Sequence, residues 1–512
     1  MKKIKLMAIA GVLCLSLILT SCASLGLSKK ESKPEGTISY WMPLSATDKV
    51  EIKDMAKTPL GKALKERTGI DVEYIHPDSD EQFNLMLASG DLPDIIQTNW
   101  VTDYPGGPEK AIQEKQIITF DEMMEEYAPN LTKYLKEHPE IDKLVTTNDG
   151  KHYMFPFIRG DEYLLISHGP VVRKDWLDDL GMEVPETMDD WYNMLKAFKE
   201  KASGAPLTTY LPLVNGIFSS AYGAPQAFFV DNGEIKYGPI LDGYKECLME
   251  LNRWYKEGLL DNNFMGLDSK MMDSAILTGG SGATVGSVGS GIGKWMAAAQ
   301  EEGYELVAAP YPVLNKGEKA MFSARQNAAP GFGAAISAKC KNPEIAMQFL
   351  DYFYSEEGLM LLNFGIEGES YEMIDGYPTY TELITKNPNG KSMAAMLGQY
   401  ARSATQAPFV QDRRYMEQYA SLPQQKDAIE VWGNTDADKH ILPPLAPSAE
   451  ESSELAKILG DVNTHVEEYT TKFVAGQISF DDWDKYISQL KTLKIERAIE
   501  IYQNAYDVYS AK

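Results

Sequence analysis

A chain of 512 residues with 74 acidic against 49 basic side chains carries a formal charge of −25, which excludes a strongly basic nucleic-acid-binding surface. Its hydrophobic content of 44% excludes a disordered chain, and its length exceeds one ordinary core, so two domains are expected. Four cysteines and six histidines, scattered without ligand spacing, offer no metal cluster.

At the N-terminus, Lys2, Lys3 and Lys5 precede an apolar run from Leu6 to Leu19, followed by Thr20-Ser21-Cys22. The run is shorter than the ~20 residues of a spanning helix. With small residues leading into a cysteine, 1–21 reads as an export leader with a lipobox-like end, and Cys22 as the lipid-carrying residue of the mature chain. Residues 22–35 are small and polar and read as a tether. No later segment is long and apolar enough to span a membrane.

Folding is expected from Gly36. Thr37 to Trp41 alternates as a strand, Pro59 to Thr68 reads as a helix stopped by Gly69, and Ile70 to Tyr74 as the next strand. Phe83, Met86 and Leu87 share a helical face that ends at Gly90, and Asp94-Ile95-Ile96 is a short buried strand. This β-α-β-α order predicts a largely parallel sheet. Tyr163 to Ser167 reads as a strand. Thr187 with Asp190 forms a carboxylate variant of the capping box, ahead of the stripe Trp191, Met194, Leu195 and Phe198. Phe228 to Tyr237 reads as a hairpin around Asn232-Gly233. Asn342-Pro343 opens a helix with Ala346, Phe349, Leu350 and Phe353 inward. Ser479 with Asp482 is expected to cap a helix carrying Trp483, Tyr486, Ile487 and Leu490. No internal repeat is apparent.

Five stretches occur in order along nearly the whole mature chain: Glu81 to Asp94, Val172-Arg173-Lys174-Asp175-Trp176-Leu177, Leu195 to Lys201, Phe364 to Tyr371, and Ala498 to Tyr509. Together they resemble the family 1 extracellular solute-binding proteins, in particular the long members that include alginate-oligosaccharide binders. The resemblance implies an α/β, two-lobed periplasmic-binding-protein-like fold with three hinge crossings and a ligand cleft between the lobes. Segment order then gives lobe 1 as 36–167 plus 316–363 and lobe 2 as 170–310 plus 368–512. Gly169-Pro170, Pro310-Tyr311-Pro312 and Gly365 fall near the hinges, where Gly and Pro punctuation is expected. Cys247 and Cys340 fall on different lobes, so two free thiols are expected. The implied function is capture of a carbohydrate, an oligosaccharide, for the permease subunits of an ABC importer. The implied setting is extracytoplasmic, a monomer held to the membrane by its N-terminal lipid, without enzymatic turnover, nucleic acid or cofactor. Many relatives carry an Asp/Asn/Gly-rich calcium loop after the Phe198-type helix. Here Glu200 to Thr208 contains neither Asp nor Asn, so no metal site is expected.

Sugar recognition needs flat apolar surfaces and planar polar groups, emerging at strand carboxyl ends. Trp41, Asn99 and Trp100 follow strands, although lobe packing is the ordinary fate of a tryptophan. Arg159 precedes the first crossing. Tyr222 and Trp295 are candidates from lobe 2. Arg325-Gln326 aligns with an Arg-Gln pair of the alginate binders, and Glu367, Glu369 and Tyr371 lie in the family hallmark beside the third crossing. The Gly- and Ser-rich stretch Gly279 to Gly293 reads as a flexible cleft loop offering backbone N–H donors. It is no phosphate loop, since Val288 stands where a glycine is needed and Trp295 follows Lys294; it also lacks a nucleophile elbow. Two alternatives remain at this level: a lipoprotein glycosidase built on two cleft carboxylates, for which Glu367 and Glu369 are available, and a peptide binder on the same scaffold. The acidic composition leans toward a neutral glycan.

Overall fold

The computed structural model describes residues 36–209 and 216–512; the expected leader, Cys22 and the tether lie outside the described residues. In chain order the strands are β1 (Gly36–Trp41), β2 (Ile70–Ile75), β3 (Ile95–Asn99), β4 (Phe155–Pro156), β5 (Ile158–Arg159), β6 (His168–Arg173) and β7 (Phe228–Asp231). They continue with β8 (Glu234–Tyr237), β9 (Ala283–Ser287), β10 (Leu306–Ala308), β11 (Phe332–Ile336), β12 (Tyr371–Ile374), β13 (Tyr377–Tyr380) and β14 (Val410–Gln411). One sheet has the order β2-β1-β3-β11-β4. Its β1 runs parallel to β2, from Gly36↔Ile70 to Trp41↔Ile75, and parallel to β3, while β11 runs antiparallel to β3 and β4. A second, antiparallel sheet has the order β10-β6-β9.

Local chemistry sets the helices between these strands. The Thr58 hydroxyl accepts from Gly61 N at the start of helix Pro59–Thr68, which ends at Gly69 with φ 78°. The box at Thr187 closes both ways: Asp190 N donates to Thr187 Oγ1 at 3.1 Å and Thr187 N to Asp190 Oδ2 at 3.0 Å. Positive φ at Asn232 (53°) and Gly233 turns the β7–β8 hairpin.

Two buried apolar cores result. The first gathers Ile38, Tyr40, Ile95, Phe155, Ile336 and Phe349; the second gathers Val171, Trp191, Phe198, Trp254, Trp432 and Ile501. Leu164, Ile166, Ala320 and Ala324 pack in the second core, so its chain segments run past the limits expected at 167 and 316. Leu362 lies in the first core and Phe364 in the second. Gly365 follows at φ 88°, a value only glycine adopts without strain. Beyond the three expected crossings, the chain makes one further excursion: Ala407 and Phe409 return to the first core, and β14 pairs in parallel with β5.

Three local expectations are corrected. Tyr163 to Ser167 is not a strand. Asp161 accepts from Tyr163 N at 2.8 Å and winds Glu162–Leu164 into a 3-10 turn, so the strand starts at His168. Gly279 to Gly293 is no flexible loop; it becomes β9 and a π-helical turn, Val288–Gly293, a rare form that often marks functional sites. The Ser479 hydroxyl accepts from Asp481 N in a 3-10 turn before helix Trp483–Thr492, and Asp482 meets Ser479 only through its backbone N–H, which donates to Ser479 O at 3.0 Å. Among the described residues no helix is long and apolar enough to cross a membrane.

Both thiols, Cys247 and Cys340, are free, the first buried and the second half-buried. Burial pushes both up, Cys340 to about 12.

In the first core's helical layer, His152 is held between two carboxylates, with Nδ1 2.9 Å from Asp121 Oδ1 and Nε2 2.8 Å from Asp142 Oδ1. Burial alone would lower its pKa, but the hydrogen bonds to Asp142 and Asp121 outweigh it and the net direction is upward. A histidine whose folded pKa is raised stabilises fully below its unfolded value of about 6.5 and loses that contribution as pH rises through the folded pKa. The unfolding free energy from urea titrations is therefore expected to fall as pH rises above about 6.5 through the raised pKa of His152. His152→Asn should flatten this profile; an unchanged slope would reject the assignment.

Candidate functional site

The carboxyl ends of β1 and β3, the turn after β2 and the start of β11 converge on one edge of the parallel sheet, where ligands of open α/β folds bind. A cavity of about 380 Å³ opens there, walled by Trp41, Phe83 and Phe332 and edged by Lys49, Asp80 and Asn84. Asp103 at its base is committed, accepting from Thr98 Oγ1 at 2.5 Å and Asn99 N at 2.9 Å.

A larger cavity of about 630 Å³ lies on the other side of helix Ala46–Glu51, which follows β1 and carries Lys49 toward the first cavity. Ala46 and Thr47 form one wall. The other comes from the second lobe: His168 of β6, Ser287 of β9, Ser290 of the π turn, Asp273 and Trp295. This site is therefore built by both lobes. Trp295 is oriented by its edge, since Nε1 donates to Asp273 Oδ1 at 2.7 Å and Lys294 pairs with the same carboxylate. Its ring lies against Gly286, where a Cβ would stand 2.6 Å from Cζ3.

Arg159, on β5, sits where the lobes join. Its Nη1 donates to Gln411 Oε1 at 3.2 Å and its Nη2 to Gln326 Oε1, while the buried Nε has no partner. Burial holds its pKa below the ordinary arginine value. Burial also lowers that of His168, with the charge of Arg159 adding to the effect.

The sequence-derived candidates divide. Trp41 and Trp295 line the two cavities, though only 7% and 2% exposed. Trp100 is fully buried against Phe83 and Tyr104, at centroid distances of 6.5 and 6.1 Å, and belongs to the core. Asn99 folds its own loop, donating to Pro330 O at 3.2 Å and accepting from Val101 N and Thr102 N. Tyr222 packs half-buried on the second core. Arg325 pairs with Glu162 and edges a separate aromatic cavity with Phe228, Phe229 and Phe322. Gln326 serves Arg159. Glu367 and Glu369 project from an exposed turn, and Tyr371 packs on Phe364 at 5.9 Å, so this trio lines none of the cavities described here.

Sequence reasoning missed Lys49, Asp80, Asn84, Phe332, His168, Asp273 and the Ser287/Ser290 pair. The turn after β2 was findable by applying the carboxyl-end rule to β2 as well, whereas β11 runs antiparallel and brings its amino end here, which the rule does not cover. Asp273, on an amphipathic helix, carries no such signal.

Residues 50–360 match the family described as bacterial extracellular solute-binding protein. The chain is 26% identical over 396 residues to Lipoprotein LipO of Bacillus subtilis, covering 73% of this chain and 75% of LipO. It is 24% identical over 510 residues to the fructooligosaccharide ABC transporter substrate-binding protein FusA of Streptococcus pneumoniae, covering 91% and 90%. The crystal structure of FusA with kestose superposes with a TM-score of 0.74 at 23% identity over 93% of this chain and 99% of that one. The calcium-free alginate-binding protein AlgQ2 gives 0.75 at 24% identity with the same coverage. The fold is thus the two-lobed α/β fold of these proteins.

Proposed function

The chain belongs to the bacterial extracellular solute-binding protein family, and we propose that it captures an oligosaccharide between its lobes and presents the closed complex to an ABC importer. The observation that carries this reading is the larger cavity, walled by Ala46 and Thr47 from one lobe and by Ser287, Ser290 and Trp295 from the other. A ligand touching both walls stabilises the closed arrangement through its differential affinity for it. The permease then reads closure. Trp41 and Trp295 supply apolar faces for sugar C–H surfaces, and the serine hydroxyls, Asn84 and His168 pair with sugar hydroxyls. The names of FusA and LipO, a fructooligosaccharide transporter subunit and a lipoprotein, favour the same assignment and the anchoring of Cys22. Lobe 1 on this reading comprises 36–158, 329–362 and 407–411, with the rest of the folded chain in lobe 2. Binding occurs without turnover, by a monomer outside the cytoplasm.

Leader-free protein should gain about 2.7 kcal/mol of stability from its oligosaccharide at 100 times the Kd. A thermal-shift screen across neutral and acidic oligosaccharides reads this directly, with chromatography of the sugar after incubation. A shift with peptides and none with glycans would reject the carbohydrate assignment, and cleaved glycan would reject binding without turnover.

A further inference from the structure

We infer that the captured oligosaccharide carries an apolar substituent, an ester acyl group or an alkyl or aryl aglycone, and that a separate apolar cavity between the lobes takes that group. The inference rests on the oligosaccharide-binding reading above and narrows it to a class of substituted glycan.

A cavity of about 440 Å³ shares the turn 98–103 with the Trp41 cavity: Thr98 and Asp103 line the Trp41 cavity, Val101 and Thr102 this one. Both lobes build it. One wall is the segment 101–108, which follows β3 at the carboxyl edge of the parallel sheet and packs in the first core through Tyr104. The other wall is the segment 442–447 with helix Ala449–Val474, which packs in the second core through Leu455. A group seated here touches both lobes and so favours their closed arrangement.

The lining differs in kind from that of the larger cavity, where Ser287, Ser290 and His168 can pair with hydroxyls. Five lining residues, Pro105, Pro108, Pro443, Pro444 and Pro447, have no N–H to give, and Val101, Leu445, Leu455 and Leu459 add aliphatic surface. Three polar side chains of this wall are committed within the protein. Thr102 Oγ1 donates to Asp103 Oδ1 at 2.9 Å, the Tyr104 hydroxyl to Glu114 Oε2 at 2.6 Å, and Ser452 Oγ to Pro447 O at 3.0 Å. The carbonyls of Leu442 and Ala446 accept from the side-chain amides of Asn327 and Asn148. A bare pyranose ring placed here would leave water without regaining partners for its hydroxyls, which is costly. An acyl chain, an alkyl chain or an aromatic ring needs no partner and gains by leaving water. Room is ample, since an apolar cavity of about 150 Å³ is enough for benzene. Because one turn lines both cavities, a sugar held against Trp41 brings its own substituent to this one.

The test is calorimetric titration of leader-free protein with the reducing oligosaccharide that gives the largest thermal shift, with its methyl, butyl and hexyl glycosides, and with its O-acetylated form. Affinity should rise about three- to four-fold per added methylene, or the acetylated form should bind about four-fold or more tighter than the parent sugar. The first result assigns the group to an aglycone, the second to an ester on the ring. Ala456 lines the cavity from an exposed position on helix Ala449–Val474, so Ala456→Phe fills the space and should abolish the gain. The chain-length series on the unaltered protein reads the inference even if that variant fails to fold. Equal affinity for the parent sugar, the three glycosides and the acetylated form would overturn the inference while leaving the oligosaccharide reading intact. A gain that persists in Ala456→Phe would overturn this cavity as its seat. A screen in which no oligosaccharide shifts the melting curve would overturn the oligosaccharide reading and this inference with it.

Discussion

Asp48→Ala is expected to destabilise the protein by about 3–5 kcal/mol, while the double change Asp48→Leu with Arg402→Met costs far less or nothing. Asp48 Oδ2 lies 3.4 Å from Arg402 Nη1, and the two side chains are only 2% and 3% exposed. At 3.4 Å this is a loose ion pair, and Arg402 Nε finds no acceptor at all. Burial works against the Arg402 charge, and Asp48 is among the groups that offset it. Removing Asp48 alone leaves that guanidinium buried and unanswered, whereas removing both charges restores an apolar contact between helix Ala46–Glu51 and the segment beyond helix Met393–Tyr400. Urea denaturation followed by tryptophan fluorescence separates the cases. A double variant as unstable as the single one would mean that the pair contributes by its shape rather than by its charge.

The second large effect is at the cavity wall. Trp295→Ala should weaken oligosaccharide binding by more than about 2 kcal/mol, as for an aromatic anchor in a desolvated pocket. It should also lower stability by about 3–5 kcal/mol for a buried indole. Its Nε1 bond to Asp273 fixes the ring plane, and the Gly286 and Gly291 backbones lie flat against it. Trp295→Phe keeps a ring but frees one Asp273 oxygen, and should cost about 1 kcal/mol for the lost hydrogen bond. Calorimetry beside a melting curve discriminates. Unchanged affinity in the alanine variant, together with a lowered melting temperature, would make the indole a core residue only.

Where a few neighbouring atoms decide the outcome, the sequence was legible. Thr187 with Asp190, Asn232-Gly233 and Gly69 each did what their local chemistry requires, because caps and turns are satisfied within four residues. The strand at Tyr163 to Ser167 failed for the converse reason. Its apolar residues suit a strand, but Asp161 captures the local N–H and the chain turns. The true strand contains Gly169 and Pro170, which reads as punctuation. Pro170 is tolerated because it lies beyond the last residue paired with β10, Val171, so its missing N–H breaks no bond there.

The site was half legible. Strand-end reasoning reached Trp41 but could not tell that Trp100, just after β3, turns inward while Phe332, the first residue of β11, lines the cavity. Residues that meet only through tertiary packing, such as Ala46 opposite Asp273, leave no mark in local pattern. The unpartnered Nε of Arg159 is invisible in composition, because it is a statement about which partner is missing in space.

The two thiols have a practical consequence. With Cys340 pushed up to about 12, its thiolate fraction at neutral pH is on the order of 10⁻⁵, and buried Cys247 is less available still. Protein that begins after Cys22 is thereby expected to react slowly with maleimides. A cysteine introduced at the exposed Ser290 on the cavity rim would take an environment-sensitive dye almost alone. The two background cysteines need not be removed before such a molecule is used as an optical sugar sensor.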